Sequence, residues 1–220
     1  MKIGIIGAGH IGGTLAYRFR ALGHDVLIAN SRGPETLAEL ADQTGAVPVR
    51  VSEAVRGVDL VVVTIPEKHV PILPADLFSK APENLVVVDT GNYYPQQRDG
   101  LISPIEEGTP ESVWVEQQLG WPVIKAFNTI FAQHLRDFGK PAGTAGRIAL
   151  PVAGDDPGAK SMVMQLVDAL GFDPVDAGGL DESWRQQPGT PVYGTDLDAM
   201  AVKRSLAGAD KHRRPEWSAI

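Results

Sequence analysis

At 220 residues, with a net charge of −7, no cysteine and ordinary apolar content, the chain has the size of one domain able to bury a real core. The acidic balance argues against a nucleic-acid surface, and the lack of cysteine removes disulfides, thiolate catalysis and cysteine-bound metals. No apolar run approaches the roughly 18 residues of a membrane span, and no signal-peptide pattern precedes the first strand, so a cytoplasmic protein without membrane or nucleic-acid partners is expected.

Lys2-Ile3-Gly4-Ile5-Ile6 reads as a buried strand, and Thr14 to Leu22 as an apolar-periodic helix closed by Gly23. Between them stands Gly7-Ala8-Gly9-His10-Ile11-Gly12, and Asp25 to Ala29 makes a second strand. This is a βαβ unit with Gly-x-Gly-x-x-Gly at its strand-to-helix turn. Gly7 permits the tight turn, Gly9 leaves the backbone open to a pyrophosphate, and Gly12 lets the helix pack close to the sheet. The free N–H groups of the first helical turn, with the helix dipole, then face the anion.

The tip of the second strand selects the cofactor. An NAD site places Asp or Glu there, about 20 residues beyond the glycines, to hold the ribose 2′-hydroxyl. Here the tip is Asn30-Ser31-Arg32-Gly33. A hydroxyl and a guanidinium suit a 2′-phosphate, which a carboxylate would repel. The pattern predicts NADP(H).

Pro34-Glu35 with Thr36 to Gln43 reads as a helix, Ala46 to Val49 as an edge strand, Ser52 to Val55 as a helical turn, and Leu60 to Ile65 as a buried strand ended by Pro66. A short helix at Pro74 to Ser79, a strand at Asn84 to Asp89 and a polar loop from Gln96 to Pro110 follow. Ser112 to Leu119 is expected to be a helix capped by Ser112 or Thr109, and Val123 to Phe127 a strand. Asn128-Thr129 is expected to cap a helix reaching about Phe138. Arg147 to Ala153 reads as a strand, Gly154-Asp155-Asp156-Pro157 as the start of a helix running to Leu170, and Phe172 to Asp176 as the last strand. The tail holds a loop at Trp184 to Pro191, a helix from Asp196 to Leu206 and a short basic run, Lys211-His212-Arg213-Arg214, read as a solvated end.

This alternation predicts an α/β, doubly wound, mainly parallel Rossmann sheet. Residues 1–178 form the NADP-binding domain, and residues 179–220 a C-terminal loop and helix extension packed on it. Ligands of such sheets lie beyond the carboxyl ends of the strands. The expected cofactor residues are therefore Gly7, Gly9, His10, Ile11, Gly12, Asn30, Ser31, Arg32, Thr64, Ile65, Pro66 and Asn92, with Asn128 and Thr129 beside the substrate. No motif assigns a catalytic acid among Lys68, His69, Tyr93, Tyr94, Lys125 and His134, and the five histidines show no metal-ligand spacing, so no metal is expected. Lys125 reads either as a strand lysine or as a proton donor. Hydride transfer to a flavin-like ring needs alignment of two ring faces more than it needs a protein acid.

Gly7 to Gly12, Asn30-Ser31-Arg32, Val63-Thr64-Ile65-Pro66 with His69, Lys125 to Ile130, Val152 to Asp156 and Asp176 to Leu180 together carry a family resemblance. The chain resembles the deazaflavin-dependent NADP reductases and their wider group of dinucleotide-binding oxidoreductases, which includes the reductase domains of membrane metalloreductases. The resemblance implies NADP(H) held by the glycine loop, Ser31 and Arg32, hydride exchange with a second small-molecule redox acceptor such as a flavin or deazaflavin, and a homodimer. The chain departs from the deazaflavin enzymes at Trp184 to Pro191, where two prolines and a glycine interrupt the helix expected near the acceptor. Two other activities fit the same cofactor site: reduction of a small carbonyl or imine, and a non-enzymatic NADP(H) redox sensor.

Overall fold

The computed structural model describes residues 1–212 and 214–219; of the basic run at 211–214, Arg213 lies outside them. The chain begins β1 (Lys2–Ile6), α1 (His10–Ala21), β2 (Asp25–Ala29), α2 (Ala38–Thr44), β3 (Val47–Pro48), β4 (Leu60–Val63) and β5 (Val86–Asp89). It continues α3 (Ser103–Glu106), α4 (Glu111–Leu119), β6 (Val123–Lys125), α5 (Ala132–Asp137), β7 (Ala149–Val152), α6 (Pro157–Ala169), β8 (Asp173–Asp176) and α7 (Ala199–Ala207). Six strands form one parallel sheet in the order β3-β2-β1-β4-β5-β6, with helices on its faces. Strand order reverses between β1 and β4, which opens a crevice at their carboxyl ends.

Alternation along the strands sorts the core. Ile3, Ile5, Val26, Ile28, Val62 and Val88 meet Leu15 and Phe19 of α1 and Val163 and Val167 of α6 on one face. Ile6, Val61, Val63 and Val87 meet Ala54, Leu77, Phe78 and Leu85 on the other. Register then fixes the site, because Val63 pairs with Asp89 and Asp89 with Lys125. The polar residues at the ends of β5 and β6 therefore stand side by side on one face.

Several expected elements differ in the structure. The last two strands do not extend the main sheet. They form a parallel pair of their own, joined to β6 by one antiparallel bridge between Lys125 and Ala153. Pro151 in β7 and Pro174 in β8 cannot donate to a ladder, which suits them to a narrow sheet. Residues 74–79 make successive i→i+3 turns instead of a helix, between Pro71 and Pro82. The expected loop at 96–110 contains a wide π turn at Pro95–Asp99 and the single turn of α3. Ser112 caps nothing: α4 starts at Glu111 after Pro110, and Ser112 turns its hydroxyl inward to Asp89. Asn128 and Thr129 cap nothing either, since α5 starts only at Ala132. The helix start at Asp156 is as expected, its carboxylate accepting from the Ala159 N–H at 2.7 Å.

The segment after Gly178 packs back on the chain. Val192, Val202 and Leu206 bury against Ala149 and Val175, and the Ala149 N–H donates to the Leu197 carbonyl at 2.8 Å. Among the described residues no helix is long and apolar enough to cross a membrane.

Candidate functional site

The glycine turn is built by close approach. Gly7 has φ +116°, and a Cβ on Gly12 would collide with the Gly7 carbonyl oxygen and stand 2.8 Å from Thr64 Cγ2. Only glycine lets α1 enter so near β1 and β4. Gly9 is different: a Cβ there meets nothing within 4 Å. It is the N-cap of α1 without a side-chain cap, and the first turn carries no acidic residue. The leading N–H groups of a twelve-residue helix, those of His10 and Ile11 included, thus face open space at the head of the crevice. That cradle fits a pyrophosphate.

At the tip of β2, Asn30 braces its own loop. Its Oδ1 accepts from the N–H groups of Arg32 and Gly33 at 3.0 and 2.9 Å, and its Nδ2 donates to Thr36 at 2.8 Å. Ser31 and Arg32 are pushed outward and exposed, and the Arg32 guanidinium makes no ion pair or hydrogen bond among the described residues. One carboxylate approaches this loop, that of Glu35, folded against Gly33.

Thr64, Ile65 and Pro66 continue β4 and are half-buried at the crevice. Beyond β5, Asn92 donates to the Asn128 carbonyl at 3.0 Å and accepts from Asn128 Nδ2 at 3.1 Å. Gln186, from the C-terminal extension, completes the knot by donating to Asn128 Oδ1 at 2.9 Å and accepting from Asn128 Nδ2 at 2.7 Å. Asn128 and Thr129 are buried, and both polar ends of Asn128 are engaged. Phe127, the only described non-glycine residue with positive φ (+63°), bends the chain so that Asn128 joins this knot instead of capping α5.

Beneath the Thr90-Gly91-Asn92 turn lies an ionisable cluster that sequence reasoning did not find. Lys125, fully buried, donates to Asp89 Oδ2 at 3.0 Å and to the Gly91 carbonyl at 2.6 Å. Asp89 also accepts from Ser112 and from the Gly91 N–H, both at 2.7 Å. Burial alone would pull the Lys125 ammonium down, but Asp89, Glu67 and Glu111 outweigh it and hold it above the usual lysine range. Glu67, one residue past Pro66, is fully buried with no hydrogen-bond partner at either oxygen. Burial and then Asp89 push its carboxyl well above the usual carboxylate range; Lys125 opposes this, while Glu111 and Asp99 add to it. The cluster is not arranged as a metal site, as no described group of acids and histidines could hold an ion.

The remaining proton-donor candidates divide clearly. Tyr93 is buried, its hydroxyl donating to the Gly100 carbonyl at 2.8 Å and accepting from the Ile102 N–H at 3.0 Å. His134 lies on α5, paired with Asp196 at 2.9 Å and stacked on Phe138. His69 and Lys68 are exposed. Tyr94, two residues past Asn92, shares a hydrogen bond with Tyr193 of the extension, and both rings lie about 6 Å from Trp217. Burial and then the bond to Tyr94 raise the Tyr193 phenol above its ordinary range. Arg98 covers the Tyr94 ring at 4.8 Å and donates to the Asn92 carbonyl. A cavity of about 440 Å³ lies elsewhere, between the loop around Gly108 and the chain around Trp184 and Lys211. A second, of about 380 Å³, runs from Gly9 and His10 along α1 towards Arg136.

Comparison with known proteins places these features. Residues 2–93 match the family described as NADP oxidoreductase, coenzyme F420-dependent. The chain is 32% identical to a hypothetical protein of Sinorhizobium meliloti, with a TM-score of 0.74 over 90% of this chain and 95% of that one. A protein of Arthrobacter put forward as an F420-dependent NADP reductase is 25% identical, with a TM-score of 0.64 over 82% and 86% of the two chains. Among curated proteins, the Escherichia coli protein YjhV is 49% identical over 71 residues, 32% of this chain and 52% of its own length. The rat metalloreductase STEAP3 is 28% identical over 183 residues, 81% of this chain and 34% of its own length. The chain thus spans about half and about a third of these two curated relatives. With the open Gly9 cradle at α1 and the β2-β1-β4 crevice in place, residues 2–93 belong to the NADP oxidoreductase family described as coenzyme F420-dependent.

Proposed function

We propose that this chain moves hydride between NADP(H) and a flavin, deazaflavin or other small planar acceptor. The observation that carries the cofactor is the open cradle at Gly9, with the unpartnered guanidinium of Arg32 at the tip of β2. In this reading the N–H groups of His10 and Ile11 bind the pyrophosphate, and Ser31 and Arg32 bind the 2′-phosphate. Thr64, Ile65, Pro66 and Asn92 line the nicotinamide half, and Asn128 and Thr129 buttress it. When bound, the dihydronicotinamide provides the hydride. A planar acceptor is favoured by the Tyr94, Tyr193 and Trp217 grouping beside Asn92, since aromatic rings pack well on flat π-systems.

A second reading, reduction of a small carbonyl or imine, is favoured by the Tyr94–Tyr193 hydroxyl pair, the half-buried phenols near Asn92. An anaerobic assay of NADPH oxidation with riboflavin, FMN and a deazaflavin tests the first reading. Turnover of one of these above the enzyme-free rate is expected; turnover only with carbonyls or imines, and its loss in Tyr94→Phe, would favour the second. A homodimer, which sedimentation would detect, belongs to the same proposal.

A further inference from the structure

The turn that leaves β5 is gripped at three points by ionisable side chains from three different segments. The Gly91 N–H donates to Asp89 at 2.7 Å, the Gly91 carbonyl accepts from Lys125 at 2.6 Å, and a side chain on Gly91 would overlap Glu67 Oε1. Asp89 and Lys125 are well partnered. Glu67 is buried without a hydrogen-bond partner, an arrangement costly enough that stability alone would favour an apolar side chain of the same shape. Such an orphan next to a ligand crevice calls for a functional account.

The groups facing Glu67 come from every element packed around it. They are Asp89 on β5, Lys125 on β6, Glu111 on α4, and Asp99 with its partner Arg98 in the π turn. On its own segment, Lys68 is turned away to the Arg98 carbonyl. We propose that Glu67 is a positioning residue: wedged against Gly91, it keeps Lys125 on the Gly91 carbonyl and so holds Asn92 at the nicotinamide end of the site. This rests on the reading of NADP(H) as the ligand.

The protonated acid leaves Lys125 to Asp89 and Gly91. An ionised Glu67 is a rival acceptor for the same ammonium, and it adds a negative charge beneath a segment that meets an anionic dinucleotide. Cofactor affinity should therefore fall as Glu67 loses its proton. Glutamine keeps the shape and cannot ionise.

The test is calorimetric titration of NADPH into the full-length wild type and Glu67→Gln between about pH 6 and about pH 9.5. Titration of the 2′-phosphate is common to both proteins and cancels in the ratio of affinities. Equal affinities at the acid end are expected, with the wild type weakening about tenfold or more relative to the variant at the alkaline end, the effect of one charged hydrogen bond. A ratio constant with pH overturns the inference while leaving NADP(H) binding intact. Failure of the wild type to bind NADPH at any pH overturns both. Should the glutamine variant not fold, Glu67→Met carries the same comparison with the same expected ratio. A merely structural role would alter the unfolding midpoint and leave this pH-dependent ratio flat.

Discussion

Replacing Lys125 with methionine keeps much of the side chain's length and removes its charge. Lys125 is fully buried and its partner Asp89 is 2% exposed, so the pair lies out of reach of solvent screening. The loss strands Asp89 with two neutral donors, Ser112 and the Gly91 N–H, and leaves Glu67 and Glu111 without their shared cation. Breaking a buried pair at one partner costs roughly 3–5 kcal/mol. That is a large share of the roughly 5–15 kcal/mol that keeps a domain folded. At roughly 2–4 °C per kcal/mol for a chain of this size, the melting temperature should fall by about 6–20 °C. Urea and thermal unfolding followed by circular dichroism would measure it. Adding Asp89→Asn removes the stranded charge and should recover a substantial part of the loss. A Lys125→Met variant within about 1 kcal/mol of wild type, or a double variant no better than the single, would refute the buried-pair reasoning.

Four further outcomes are expected. Because the folded state holds a proton on Glu67 that the unfolded chain releases near the ordinary carboxylate value, wild-type stability should decline as pH rises above about 4.5 until Glu67 itself ionises. Thermal melts should therefore show Glu67→Gln gaining on wild type as pH rises above the ordinary carboxylate range, and a constant difference would count against the buried acid. Gly9→Ala meets no neighbour and should change stability by no more than about 0.5 kcal/mol while weakening NADPH binding. Gly12→Ala drives a methyl into the Gly7 carbonyl and should lower the urea midpoint by an amount worth about 1–3 kcal/mol or more. Asp156→Ala removes the N-cap of α6 and should cost about 0.5–2 kcal/mol in the same measurement, without touching cofactor affinity.

The parts of this site that were legible in the sequence are those whose geometry is set locally. Gly7, Gly9 and Gly12 read correctly as a strand-to-helix turn because the positive φ of Gly7 and the approach of Gly12 to the Gly7 carbonyl are both set within the motif itself. Asp156-Pro157 gave its helix start for the same reason. The cluster under Gly91 was not legible, because Glu67 sits in a turn, Pro66-Glu67-Lys68-His69, that looks solvated. Only the register of β4, β5 and β6 brings Glu67, Asp89 and Lys125 together. One signal was available: Lys125 interrupts the apolar run Val123-Ile124-Lys125-Ala126-Phe127, and a lysine there needs an acid opposite it. Asn128 misled because its local preference for helix caps lost to the bend at Phe127, which no spacing announces. Pro151 and Pro174 were a second missed signal, since two prolines in neighbouring strands argue against insertion in a wide ladder.

The central claim is that the tip of β2 selects NADP(H). Calorimetric titration of NADPH and NADH into wild type and Arg32→Ala tests it most directly. A charged hydrogen bond to the 2′-phosphate should contribute about 1.5–3 kcal/mol, so the wild type should prefer NADPH by roughly ten- to a hundredfold and the variant should lose that preference. Equal binding of both dinucleotides by the wild type, or an NADH preference abolished by Glu35→Gln, would contradict the account and assign the ribose to the Glu35 carboxylate instead.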